Sequence, residues 1–159
     1  MDVRKLEGSI VALITPFNED GSVNFDQLER LLEFHVENGT DAILTLGTTG
    51  ESATMTDEED NSVVKFVVDH IAGRIPVIAG SGSNSTVAQM AKSLKYQELG
   101  ADALLIISPY YNKSNEEGIY QHLRPPMRWT SPASSITSLV ARVAPSPCAM
   151  SSASPPIPT

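Results

Sequence analysis

The sequence predicts an α/β fold: a parallel sheet of four strand–helix units over residues 1–124, followed by an irregular Pro/Ser-rich tail over residues 125–159. Three observations carry this expectation. Short apolar runs begin near residues 10, 42, 75 and 103, a period of roughly 30 residues, which is the length of one strand–helix unit. Amphipathic segments fill the intervals between them. The composition then breaks at Arg124-Pro125. Residues 1–124 hold all 19 acidic and nine of the 11 basic residues, whereas residues 125–159 have no Asp or Glu but eight of the 11 prolines and eight serines. A stretch nearly half Pro and Ser cannot bury a core, so the tail is expected to be disordered.

The elements follow in order. Ile10-Val-Ala-Leu-Ile14, ending at Thr15-Pro16, has the length and residue types of a buried strand. Asn24 and Gln27 stand at capping-box spacing before a helix with Phe25, Leu28, Leu31, Leu32 and Val36 on one face, and Gly39 ends it. Ala42–Leu46 is the second strand. Thr56 and Glu59 form another capping box, and Val63, Val64, Val67, Val68 and Ile71 make the buried stripe of a helix closed by Gly73. Ile75–Ala79 is the third strand, followed by a helix from about Thr86 to Leu99 that stops at Gly100. Ala103–Ile107 is the fourth strand, and a short helix is expected from near Glu116 to Leu123.

Gly39-Thr-Asp-Ala-Ile-Leu and Gly100-Ala-Asp-Ala-Leu-Leu share a pattern at the helix-to-strand junction, an internal repeat. Near-continuous apolar strands separated by amphipathic helices mean a parallel sheet covered on both faces. Whether that sheet lies open or closes into a barrel is left open by the pattern alone.

Charge and composition exclude several classes of function. A formal net charge of -8 with no basic stripe argues against nucleic-acid binding. No apolar run is long enough to span a membrane, and the segment from Met1 to Glu7 has no apolar stretch behind Arg4 and Lys5, as a secretory signal would need. Cys148 stands alone, which excludes an internal disulfide and a cysteine-cluster metal site. His35, His70 and His122 have no spacing that suggests a metal site or a catalytic triad, and no cofactor is called for. A soluble cytoplasmic protein is expected.

Polar residues gather where the strands end: Thr15, Thr48-Thr49, Ser81, Asn84 and Tyr110-Tyr111. Parallel α/β folds bind ligands at those ends. Gly47-Thr-Thr-Gly-Glu51 fits neither the dinucleotide glycine spacing nor the Walker loop, since no Lys follows its second Gly. It offers two hydroxyls beside flexible backbone, a combination that suits a carboxylate. Turn formation alone would account for Ser81-Gly-Ser-Asn84 equally well. A Tyr pair is more often packing than catalysis, but Tyr110 and Tyr111 lie at the ligand edge, outside the apolar run.

Gly-Ser-Ile-Val-Ala-x-x-Thr-Pro-Phe (8–17), Gly-Thr-Thr-Gly-Glu-Ser (47–52), Ile-Pro-Val-Ile-Ala-Gly-x-Gly (75–82) and Pro-Tyr-Tyr-Asn (109–112) stand in register over residues 7–124. Together they resemble the dihydrodipicolinate synthase family of pyruvate-dependent Schiff-base aldolases, which are (β/α)8 TIM barrels. The resemblance implies the first four βα units of such a barrel. It further implies a lyase-type condensation of pyruvate with aspartate semialdehyde on the route to lysine, through an imine on a lysine of a later strand. Thr48 matches the family's proton-relay threonine. Tyr111 matches its relay tyrosine, which crosses a subunit interface in the family homo-oligomer. Thr49 matches the residue that holds the pyruvate carboxylate. Ala53, Asn84 and Tyr110 match positions of a lysine feedback site in some members. Those members add a His and a Glu where this chain has Asp57 and Ala88, so only a remnant of that site is expected.

The departures lie in the tail. The family continues with Leu-Tyr-Asn-x-Pro-x-Arg and then the Schiff-base lysine, whereas this chain reads Pro-Pro-Met-Arg-Trp-Thr-Ser-Pro after Arg124. Arg142 has no motif around it. Lys65, Lys92 and Lys95 fall on helices, Lys113 in a loop and Lys5 before the first strand. None lies inside a strand, where burial would lower an amine's pKa. The expectation is a catalytically incomplete half-barrel with a frameshifted tail, prone to self-association. Two alternatives stand beside it: a sister aldolase such as N-acetylneuraminate lyase, and a non-catalytic binding module with an open, flavodoxin-like sheet.

Overall fold

The computed structural model describes residues 6–112, 114–129 and 137–141. The expectations about Lys5, Lys113, Arg142 and Cys148 lie outside the described residues.

Strands β1 (Ile10–Ala12), β2 (Ala42–Thr45), β3 (Val77–Gly80), β4 (Ala103–Ile107) and β5 (Thr137–Ala141) form one parallel sheet in the order β1-β2-β3-β4-β5. Helices α1 (Phe25–Glu37), α2 (Asp57–Ile71), α3 (Thr86–Glu98) and α4 (Glu116–Trp129) connect them. Strand order that follows the chain without reversal is the winding of a barrel. A flavodoxin-like sheet would instead run 2-1-3-4-5, so the order goes against the open-module alternative.

The helix-facing core joins Ile43, Val77, Ala79 and Leu104 of the strands to Leu28 and Leu32 of α1, Val63, Val64, Val67 and Ile71 of α2, and Tyr96 of α3. A smaller cluster of Ala42, Ile78 and Ala103, with Leu44 and Leu105 against it, lies on the other face of the sheet. The outermost strand β1 is poorly covered: Ile10 is 40% exposed and Ile14, just past it, 52%.

The helix ends follow their sequence signals. Asn24 Oδ1 accepts from the Gln27 amide at 2.9 Å. The Thr56/Glu59 capping box is complete, with Thr56 N donating to Glu59 Oε2 at 2.8 Å and Glu59 N to Thr56 Oγ1 at 3.2 Å. At the end of α2 the left-handed turn is shared, since Ala72 (φ 48°) precedes Gly73 in that conformation.

The repeated Gly-x-Asp-Ala pattern has a common purpose. Asp41 Oδ2 accepts from the Ser9 amide at 2.7 Å, ahead of β1, and Asp102 Oδ2 accepts from the Val77 amide at 2.9 Å, at the start of β3. Each carboxylate thus ties the entry of its own strand to that of the neighbouring one.

Two expectations are corrected. The fourth helix does not stop near Leu123 but continues through Pro125 and Pro126 to Trp129. Prolines at 125 and 126 remove the amides that would bond the carbonyls of Gln121 and His122. The buried Gln89 takes over one of these acceptors, its Nε2 lying 3.4 Å from the His122 oxygen. The segment expected to be irregular also contributes β5, which pairs with the whole of β4. Thr137-Ser-Leu-Val-Ala141 is a short run with the β-branched residues strands favour, obscured in sequence by the Pro and Ser around it.

Candidate functional site

Three loops at the C-terminal ends of the strands hold the residues singled out in the sequence. After β2 the chain turns sharply: Leu46 adopts φ 55°, and two single-turn 3₁₀ helices follow, Thr48–Gly50 and Ser52–Thr54, joined by Glu51 at φ 58°. Two bulky residues in the left-handed region within six positions mark stored backbone strain, which gathers where function demands a particular shape. Gly80 makes that shape possible, because a Cβ there would lie 2.2 Å from the Leu46 carbonyl oxygen.

Thr48 and Thr49 occupy the first of these turns and are exposed to solvent at the mouth of the sheet. The loop is anchored from below by the buried Thr15, whose Oγ1 donates to the Gly50 carbonyl at 2.7 Å. A second anchor lies at its far end, where Ser52 Oγ donates to Asp60 Oδ2 at 2.8 Å. Two exposed hydroxyls on a tethered turn can donate to a carboxylate or pass a proton to a neighbouring group.

The β4 exit loop carries Tyr110 and Tyr111. Tyr111 is 100% exposed and has φ 66°, so its ring is uncovered among the described residues. Tyr110 is partly exposed, and its amide donates to Asn84 Oδ1 at 2.7 Å. The structure therefore brings Asn84 and Tyr110 together, as two of the three residues expected to share a site, while the exposed Ala53 stands on the separate β2 loop. Asp57 Oδ1 lies 3.5 Å from Lys92 Nζ.

The lysines described all lie on helices: Lys65 pairs with Asp69, Lys95 with Glu98, and Lys92 with Asp60 at 2.6 Å. Burial pulls against the Lys92 ammonium, but the hydrogen bond and charge of Asp60, helped by Asp57, outweigh it and hold the amine above its ordinary value. That is the opposite of what a carbonyl-attacking amine requires. The histidines have structural partners: His35 Nδ1 faces Thr40 Oγ1 at 3.1 Å, His70 Nε2 faces Glu33 Oε1 at 2.6 Å, and His122 Nδ1 faces Thr86 Oγ1 at 2.8 Å. Among the described residues there is no His/Cys/Asp/Glu group able to hold a metal, and no helix long and apolar enough to cross a membrane.

A shallow groove of about 480 Å³ runs along α1, lined by Asp26, Glu29, Arg30, Glu33, Phe34 and Glu37. No strand-end loop contributes to it, and four carboxylates against one guanidinium would repel an anionic substrate, so it is not the candidate site.

Sequence reasoning missed Asp60 and its partners. The signal was present: Asp60 continues the apolar stripe of 63, 64, 67 and 71 at helical spacing, where a carboxylate is out of place unless paired.

Comparison with known proteins identifies relatives of this fold. The model of the dihydrodipicolinate synthetase family matches residues 5–131. A 4-hydroxy-tetrahydrodipicolinate synthase of Neisseria meningitidis serogroup B is 55% identical over 119 residues, which is 75% of this chain and 41% of that relative. Among solved structures, dihydrodipicolinate synthase from Aquifex aeolicus superposes with a TM-score of 0.79 at 47% identity, over 85% of this chain and 44% of that one. The chloride-inhibited dihydrodipicolinate synthase of Acinetobacter baumannii, complexed with pyruvate, gives a TM-score of 0.79 at 41% identity, over 86% and 45%. The chain thus spans about two fifths of the length of the curated relatives it matches.

Proposed function

Since this chain belongs to the dihydrodipicolinate synthetase family, we propose that its strand-end loops are the N-terminal half of an active site that condenses pyruvate with aspartate semialdehyde. The observation that carries the reading is the tethered turn holding Thr48 and Thr49 at the end of β2, the place where this fold binds its ligands.

In the proposed reaction a lysine amine, supplied by the later part of the barrel, attacks the keto carbon of pyruvate and water leaves. The resulting protonated imine draws electrons from the methyl group, which gives up a proton and becomes the nucleophile towards the aldehyde carbon. Thr49 holds the pyruvate carboxylate by hydroxyl and main-chain donors. Thr48 and Tyr111 relay protons to and from the site. Tyr111 serves a neighbouring subunit, which is in keeping with its full exposure and its left-handed backbone. Ala53, Asn84 and Tyr110 are the remnant of an effector site that no longer responds to lysine.

This chain alone is taken to lack the imine-forming lysine. The change in composition at Arg124-Pro125 supports a shifted reading frame, which restoring Leu-Tyr-Asn-x-Pro and a later strand lysine from the downstream nucleotides would test. Function is tested by joining residues 1–124 in frame to the remaining barrel of the meningococcal relative. The hybrid should condense the two substrates. Thr48→Val should lower kcat at least about a hundredfold, and Thr49→Val should chiefly raise KM for pyruvate. A folded hybrid indifferent to both substitutions would refute the assignment.

A further inference from the structure

We propose that Asp60 is a positioning residue for the loop that carries Thr48 and Thr49, acting through Ser52 and held in turn by Lys92 and Tyr96 of α3. The inference depends on the proposed function only in treating those threonines as substrate-binding groups.

Asp60 lies in the first turns of α2 and is fully buried. One carboxylate oxygen, Oδ2, collects three donors: Ser52 Oγ at 2.8 Å, Lys92 Nζ at 2.6 Å and Tyr96 OH at 3.4 Å. The other oxygen, Oδ1, is buried and has no partner among the described residues. Lys92 and Tyr96 are four residues apart, so they reach Asp60 from one face of α3.

A carboxylate is a poor choice for merely packing α2 against α3. Positions 63, 64, 67 and 71 of the same stripe join the core with Val and Ile, and apolar residues commonly replace a buried ion pair at no loss of stability. What the carboxylate supplies, and an apolar side chain cannot, is a directional acceptor for Ser52. That bond fixes the junction between the two 3₁₀ turns, just after Glu51 in its left-handed conformation. With Thr15 holding Gly50 from beneath, it gives the threonine turn two fixed attachments within three residues after Thr49. Burial, then the adjacent carboxylate of Asp60, push the Tyr96 phenol well above its usual range, so it remains a donor. Helix α3 also follows Asn84, which accepts from the Tyr110 amide. One helix is therefore the common reference for the threonine loop and the tyrosine loop.

The test is amide hydrogen exchange on the full chain. Within the loop the amides of Gly50, Glu51, Thr54 and Met55 donate to the carbonyls of Gly47, Thr48, Glu51 and Ser52, so their exchange reports opening of the turns. Ser52→Ala, which leaves the buried ion pair intact, should speed their exchange about tenfold while changing the Val63, Val64 and Val67 amides less than about threefold. Asp60→Asn should speed the same loop amides, and on the Ser52→Ala background it should add less than about threefold more. Unchanged loop exchange in Ser52→Ala would overturn the proposal. So would an Asp60→Asn effect on the loop that is equally large with and without Ser52, since Asp60 would then act only through helix packing. The measurement needs no substrate. Loop amides that respond as expected, beside a folded hybrid with the relative's remaining barrel that does not condense the two substrates, would therefore overturn the proposed function and leave the strut standing.

Discussion

Gly80→Ala is expected to drive β3 and the threonine loop apart. An alanine Cβ would sit 2.2 Å from the Leu46 carbonyl oxygen, 2.7 Å from its carbon and 3.0 Å from the Gly47 nitrogen. All three are backbone atoms, so no side chain can rotate to relieve the overlap. Leu46 is already at φ 55°, and its carbonyl cannot swing aside without undoing the turn that leads into Thr48. Reaching ordinary contact requires a separation of about 1 Å more, which disturbs the Leu44–Ile78 and Thr45–Ala79 register. Overpacking typically costs ~1–3 kcal/mol, and the rigid obstacle puts this case at about 3 kcal/mol. Gly39→Ala is the control. Gly39 has a left-handed φ of 75° but open space around it, so its substitution should cost only the conformational strain, ~1 kcal/mol. Urea unfolding followed by circular dichroism compares the two. A Gly80→Ala loss no larger than that of Gly39→Ala would show that the close approach of Gly80 to Leu46 is not the constraint described.

Two further outcomes are expected. Glu33 bridges α1 to Arg74 and His70, with Oε1 2.6 Å from Arg74 Nη2 and 2.6 Å from His70 Nε2. The Arg74 guanidinium first, then His70, hold its carboxyl down at about 2 against an ordinary 4.5. Because the folded pKa lies below the unfolded one, this contribution is complete above about pH 4.5 and fades as the pH falls towards 2. The urea midpoint should accordingly drop more steeply over that acid range in the natural chain than in Glu33→Gln, and parallel curves would count against it. The exposed β1 edge, with Ile14 52% uncovered, is expected to drive self-association. Ile14→Lys should shift sedimentation velocity profiles towards monomer, an expectation defeated by a natural chain that is already monomeric at the same concentration.

The chain's local signals proved readable where one physical constraint dominated. Thr56 with Glu59, and Gly39 and Gly100 after their helices, satisfy backbone groups nearby in sequence, so pattern alone located them. The strand exits were harder. The run Ala42–Leu46 reads as continuous strand, yet Leu46 turns left-handed where Gly80 of the neighbouring strand approaches its carbonyl, a tertiary contact invisible in hydropathy. The end of α4 was misjudged for a related reason. Pro125 and Pro126 normally stop a helix, but Gln89, 36 positions before Pro125, supplies a donor for the His122 carbonyl left bare. Asp60 was overlooked because its partners Ser52, Lys92 and Tyr96 are spread over two loops' worth of chain and meet only in three dimensions. Thr48, Thr49 and Tyr111 stood out by their place at the strand ends, and only the motif resemblance attaches proposed roles to them.

The most direct test of the account is borohydride reduction in the presence of pyruvate, read by intact mass and peptide mapping. The chain itself should remain unmodified: among the described residues Lys65, Lys92 and Lys95 lie on helices and are engaged with carboxylates, and the sequence places Lys5 and Lys113 outside the strands. Residues 1–124 joined to the relative's remaining barrel should acquire one stable adduct, on a lysine of the added portion. A stable adduct on the natural chain, or a folded hybrid that forms none, would contradict the reading of this chain as the N-terminal half of a pyruvate-imine enzyme.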